Sequence, residues 1–277
     1  MAGDRLAAFA LIGDRYHNSD YIRTALSQTL GEGLDLGIDF TDETRELSAE
    51  ALEGRRLLIL FRDAFLWPDG YSGDSFWPGE HHRRPQTDPF EVKASSWYPG
   101  YQALTPMQLT SQPSVSPGKA EAVTWMTEAQ GKAIKDFVAD GGSALLYHNV
   151  TYIATENAHF RDVLGAATRG HPPIRPHRIQ VTGHSHPITQ GVADFVVTDE
   201  QHFLEYDGDP DCVLLRSINE DGLTHEGCGA ECEAGWAHEY GKGRVCYLAP
   251  GHTIPALWNP AYVKIQQNAV RWLLGGT

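Results

Sequence analysis

Strand-like apolar runs alternate with helical spacing along the first sixty residues. Residues 6–13 form an unbroken apolar run, the signature of a strand covered on both faces. Asn18 or Ser19 can cap a helix in which Ile22, Leu26 and Leu30 recur at helical intervals. Residues 34–40 and 57–61 read as a second and a third strand, with spacers long enough for crossovers. This alternation predicts a doubly wound, mostly parallel α/β sheet with helices on both faces.

The rhythm breaks at residues 62–123, which show no sustained period and carry eight of the 16 prolines and three of the 7 tryptophans. A structureless loop of that length is uncommon inside a compact domain unless it is functional. The stretch is rich in aromatics, among them Phe65, Trp67, Tyr71, Trp77 and Trp97, unlike a disordered linker. It reads as an ordered insertion in a single domain spanning 1–277, serving as a lid or as an assembly surface for a homo-oligomer.

Regularity resumes at Thr127-Glu128-Ala129-Gln130, a capping box that opens a helix through Ile134, Phe137 and Val138 to Gly141-Gly142. Residues 143–147 form the next buried strand, ending at His148-Asn149, and a helix over 158–164 follows. Beyond Pro172 short strands are expected at 178–182, 194–198, 212–217, 235–240 and 244–248, several of them antiparallel and joined by Gly, Asp and Pro turns. Asn259 and Pro260 open a closing helix that contains Val263, Ile265, Val270 and Leu273. No internal repeat is present.

Composition narrows the function. The chain has 277 residues and a formal charge of −14, which argues against a nucleic-acid partner because phosphate binding needs clustered positive charge. No apolar run approaches the roughly 18–20 residues of a membrane span, and residues 6–13 lack the basic leader and cleavage site of a signal peptide. A cytoplasmic protein with no membrane partner is expected. Cys212, Cys228, Cys232 and Cys246 then default to reduced thiols, although His225, Cys228 and Cys232 could hold a metal or a disulfide.

In an open parallel sheet, ligands bind at the carboxyl ends of the strands. His17, the pair Arg62-Asp63, the pair His148-Asn149, and His252 each stand just after a predicted strand. One such histidine is more often an ordinary loop residue, but the fold logic makes this group converge. Asp199-Glu200, followed by Gln201-His202, adds carboxylates that can orient an imidazole, act as a base or complete a metal shell. The pair could equally be an exposed turn. Trp236 could stack on a sugar face or simply fill the core. His81-His82-Arg83-Arg84 reads as a solvated face, His184 and His186 as structural, and His159 and His171 carry no supporting context. A glycine-rich phosphate loop and a Gly-x-Ser-x-Gly elbow are both absent, which disfavours nucleotide binding and serine hydrolysis.

The order of several motifs resembles the ThuA-like (trehalose utilisation) family. They are the run from Gly183-His184-Ser185-His186-Pro187 to Gly191, then Asp199-Glu200, then Gly241-Lys242-Gly243-Arg244 through Gly251-His252, and the helix with Asn268-Ala269-Val270-Arg271-Trp272-Leu273. Leu146-Tyr147-His148-Asn149 and Tyr16-His17 also fit, whereas 62–123 has no counterpart. The resemblance implies a flavodoxin-like sheet related to class I glutamine amidotransferases, with His148 at the position of their nucleophilic cysteine. No cysteine of this chain falls near it, so thiolate chemistry is not expected. Gln201-His202 replaces the aliphatic-aromatic pair that often follows Asp-Glu in the family.

The resemblance further implies a small-molecule carbohydrate, a 3-keto sugar or glycoside, with proton abstraction beside the carbonyl leading to elimination, hydration or isomerisation. His17, His148, Glu200 and His252 are the catalytic candidates. Tyr16, Asn149, His202, Trp236 and Thr253 are the substrate-binding candidates. A divalent metal, zinc or similar, could be held by His17, His148, His252 and Glu200. The rival expectation is a non-catalytic carbohydrate-binding or scaffold protein on the same fold.

Overall fold

A computed structural model describes residues 7–66, 122–183, 185–222, 225 and 227–275. The strands are β1 (Ala7–Ile12), β2 (Gly37–Thr41), β3 (Leu57–Phe61), β4 (Phe65–Leu66), β5 (Val123–Thr124), β6 (Ser143–Tyr147) and β7 (Ala166–Gly170). They continue as β8 (Arg175–Val181), β9 (Phe195–Asp199), β10 (Phe203–Tyr206), β11 (Val213–Ile218), β12 (Glu231–Tyr240) and β13 (Gly243–Leu248). Nine of them make one sheet in the order β2-β1-β3-β6-β13-β12-β11-β8-β9. From β2 to β13 the pairing is parallel, and from β13 to β9 it is antiparallel. This is the expected doubly wound half with an antiparallel extension.

The central strands β3 and β6 are buried along their whole length, which explains their continuous apolar runs. Helices at Ser19–Leu26, Glu128–Ala139 and Pro260–Leu273 lay Ile22, Ile134, Ile265 and Val270 into the core. The capping box at Thr127 and Gln130 forms with both of its bonds. The first helix runs on as a wider turn over Ser27–Glu32, and Asp35 then takes a left-handed φ of 52°, so the second strand starts at Gly37 rather than at residue 34. Two short ladders escaped the sequence reading: β7 with β10, and β4 with β5. The second joins the two ends of the 62–123 insertion; residues 67–121 lie outside the described residues, as do His81, His82 and His184.

The antiparallel half bends back over the parallel half. β9 is four strand steps from β13, about 19 Å if the sheet were flat. Yet Asp199, at the end of β9, accepts hydrogen bonds from the amides of Gly251 at 2.8 Å and His252 at 3.0 Å, just beyond β13. Register shifts in the β11–β12 pairing supply the extra twist. The carboxyl ends of β1, β3, β6, β9 and β13 therefore share one rim.

His177 is buried on β8 opposite Val197, with Nδ1 3.2 Å from the Arg175 carbonyl. Burial, aided by the Arg175 charge, pushes its imidazole down from 6.5 to about 4. Between those values the unfolded chain binds a proton that the folded chain refuses, so stability is full above the window and falls as pH drops through it. Urea midpoints should show that His177→Gln removes about 2 kcal/mol of the stability lost between pH 7 and pH 5.

Candidate functional site

The site grows from the turn after β1. Gly13 takes a left-handed φ of 84°, and a Cβ there would meet Ser19 Cβ at 2.6 Å. The turn delivers Asp14 to a fully buried position, where its carboxylate collects donors from three strand ends. Oδ1 accepts from the amides of Tyr16 at 2.8 Å and His17 at 3.0 Å, and lies 2.8 Å from His17 Nδ1. Oδ2 accepts from the Asp63 amide at 2.9 Å and Asn149 Nδ2 at 2.6 Å. Burial would raise the pKa of Asp14, but His17, Arg62 and the Tyr16 amide outweigh it and hold the carboxyl well below its usual range. With Nδ1–H of His17 given to Asp14, its Nε2 faces inward as a lone pair.

His148 occupies the sharp turn after β6, with a left-handed φ of 51°, a strained conformation for a residue with a Cβ. Its carbonyl accepts from Tyr247 Oη at 2.7 Å, and its Nδ1 donates to the Ala249 carbonyl at 2.7 Å. Nε2 is thereby left as a lone pair. Gly251 permits this closeness, since a Cβ there would stand 2.7 Å from both His148 Cβ and Phe61 Cζ. Asp199 in turn holds the amides of Glu200, Gly251 and His252.

These turns converge on Glu200 Oε2. It lies 3.1 Å from His252 Nδ1, 3.4 Å from His148 Nε2, 3.5 Å from His202 Nε2 and 3.6 Å from His171 Nε2. His252 Nδ1 is also 2.9 Å from His17 Nε2. Burial opposes the charge on Glu200, but a proton on the imidazoles of His148, His202 or His252 outweighs it and holds the carboxyl far below the carboxylate range. The opposite holds at Asp63, whose carboxyl is pushed well up by burial and by the neighbouring Asp14 charge. A cavity of about 360 Å³ opens over this rim. It is walled by Tyr16, His17, Asn149, His252, Glu200 and His202, together with Asp63, Phe65, Tyr152 and His171.

The sequence model of the family described as ThuA, trehalose utilisation, matches residues 84–273, more than half of the chain. The chain belongs to the ThuA family. No curated protein matches its sequence. Among solved structures it is similar to a putative ThuA-like protein from Bacteroides uniformis, with a TM-score of 0.61 and 16% identity over 99% of this chain and 93% of that one. A second, from Parabacteroides merdae, has a TM-score of 0.61 and 12% identity over 98% and 91%. A cold-adapted β-galactosidase from Rahnella sp. R3 gives a TM-score of 0.51 at 10% identity over 97% of this chain but 31% of its own. At such identities the likeness is one of fold.

In this ThuA-family chain the structure brings His17, His148, Glu200 and His252 together, with Tyr16, Asn149 and His202 on the same cavity. Two of the substrate-binding expectations require correction. Trp236 is fully buried, stacked at 4.2 Å on Tyr247 with Nε1 donating to the Leu164 carbonyl, so it fills the core. Thr253 is not among the residues that wall the cavity; it caps the short helix Ile254–Leu257 and gives its proton to the Thr198 carbonyl.

His171, dismissed for want of context, belongs to the site because β7 ends at Gly170, which pairs with Phe203. Asp14 and Tyr152 were also missed; a carboxylate three residues before a histidine at a strand end was the available signal for Asp14. All four cysteines are free thiols, and His225, Cys228 and Cys232 do not form one of the donor groups found among the described residues. No helix among the described residues is long and apolar enough to cross a membrane.

One set of residues able to hold a cation is His17, His148, His252 and Glu200. Their donor separations of 2.9, 3.1 and 3.4 Å approach the roughly 3.4 Å edge of a tetrahedron with 2.1 Å bonds. The lone pair of His148 Nε2 faces an ionised oxygen with no hydrogen-bond partner, and a proton or a cation relieves that repulsion.

Asp14→Ala should destabilise the protein by about 3 kcal/mol in urea unfolding, because it strands buried donors from three strand ends. A loss below about 1 kcal/mol would show that the carboxylate is not the tie described here.

Proposed function

We propose that this ThuA-family protein is a cytoplasmic carbohydrate-processing enzyme that acts on 3-keto sugars or glycosides by moving the proton next to the carbonyl. One observation carries the reading: an ionised carboxylate ringed by imidazoles, facing a raised-pKa carboxyl across one cavity of small-ligand size. The family's description as trehalose utilisation supports the substrate class. The free thiols suit a reducing compartment.

A C3 carbonyl acidifies the C2 proton. Its removal leaves an electron pair that becomes the C1–C2 double bond as the bond from C1 to the glycosidic oxygen breaks. Asp63 is the proton carrier in this reading. Burial and the Asp14 charge raise its proton affinity well above that of an ordinary carboxylate, which suits one carboxyl to take the C2 proton and return it to the leaving oxygen. His17, His148, His252 and Glu200 would hold a divalent cation such as zinc, which when bound supplies a Lewis acid for the enolate oxygen. Asn149 lines the cavity and has a buried Oδ1 without a protein partner, which suits it to accept from a sugar hydroxyl once the pocket adjusts around a ligand. Burial pushes the Tyr152 phenol up to about 12, so it stays a neutral donor there.

A nitrophenyl 3-keto-glucoside should be cleaved while the unoxidised glucoside stays intact. His148→Ala and His252→Ala should lower kcat/KM at least about 100-fold, and Asp63→Asn by about 100-fold or more. Sugar binding without product, or unchanged turnover in these variants, would overturn the assignment in favour of a binding protein.

A further inference from the structure

The donors around Glu200 fall into two sets that share only that residue. One is His17, His148, His252 and Glu200, and the other is His171, His202 and Glu200; within each set the ligand atoms all lie within 4.8 Å of one another. An ion with bonds of about 2.1 Å reaches donors no more than about 4.2 Å apart. The sets do not merge even at the wider limit, so a single ion cannot gather all five imidazoles.

The second set has its own structural origin. Gly170 pairs with Phe203 in the β7–β10 ladder, so the residues that flank this pair, His171 and His202, stand side by side. Their rings stack at 4.7 Å with an interplanar angle of 25°. Nδ1 of His171 donates to the Pro172 carbonyl at 3.1 Å, which leaves Nε2 as the lone pair on the Glu200 side. His202 is 2% exposed, and neither of its ring nitrogens has a hydrogen-bond partner; nor does Glu200 Oε2. Buried polar atoms left this way cost free energy unless a ligand satisfies them. No third cluster of this kind forms among the described residues.

We propose that Glu200 bridges two divalent cations, the second held by His171 Nε2, a ring nitrogen of His202 and the shared carboxylate. Three protein ligands leave that cation an open position on the cavity, the pattern of a site that takes substrate. Imidazole and carboxylate donors suit zinc, manganese or a similar ion. Two cations joined through one carboxylate match a ligand with neighbouring oxygens, such as the hydroxyl and carbonyl of an α-hydroxyketone sugar. This inference rests on the first cation of the proposed function and deepens it.

The test counts metal. Tag-free full-length protein is stripped with a chelator, dialysed against Mn²⁺ or Zn²⁺, and its metal content measured per chain. Two ions per chain are expected in the wild type and one in His171→Ala or His202→Ala, with circular dichroism confirming the fold. His171 is partly exposed, so its variant should fold even where the His202 variant does not. Manganese bound as a pair should also show an exchange-coupled paramagnetic resonance spectrum in the wild type, and an uncoupled one in His171→Ala. A single ion in the wild type overturns the bridge. If His171→Ala retains that ion, the first cation stands; if it loses it, or if the wild type binds none, both readings fall.

Discussion

The geometry of the rim depends on one buried charge. Asp14 is an ionised carboxylate removed from water, which is tolerable only because donors surround it: two amides of its own turn, the His17 ring, the Asp63 amide and the Asn149 side chain. These donors belong to the segments after β1, β3 and β6, so satisfying the charge requires all three strand ends to be in register. The same bonds fix the tautomer and direction of His17. Stability and site geometry are here the same interaction.

A second buried carboxyl, Asp199, ties the other end of the sheet. Its two oxygens take the amides of Glu200, Gly251 and His252. That closure holds the end of β9 against the segment after β13 in spite of the four strand steps between them. It also sets Glu200 between His148 and His252. Backbone close approach completes the arrangement: His148 takes a left-handed conformation, and Gly251 passes it where no side chain would fit. Rigid strands bear the chemistry-bearing groups, and short bonded turns aim them.

The opposite shifts of Glu200 and Asp63 come from surroundings rather than from residue type. Both are carboxyls at the same cavity. Imidazoles surround one, while burial and then the Asp14 carboxylate behind it raise the other.

Much of this was legible along the chain. The apolar runs of β1, β3 and β6, the capping box at Thr127 and the strand-end positions of His17, His148 and His252 follow from local rules of period, capping and fold topology. The family's ordered motifs also pointed to Glu200. Other features depended on contacts between segments distant in sequence. His171 has no local signal, because its partner His202 arrives through a two-stranded ladder of four residue pairs, too short to show a period. Trp236 carries the same residue type whether it faces a sugar or Tyr247, and only packing chose the core. Local propensity reports what a segment can become, whereas burial, pKa and the meeting of four imidazoles at one oxygen arise when the sheet curls and water is excluded. Sequence alone therefore determined the elements and the rim; the tertiary structure decided which groups meet there and in what state of charge.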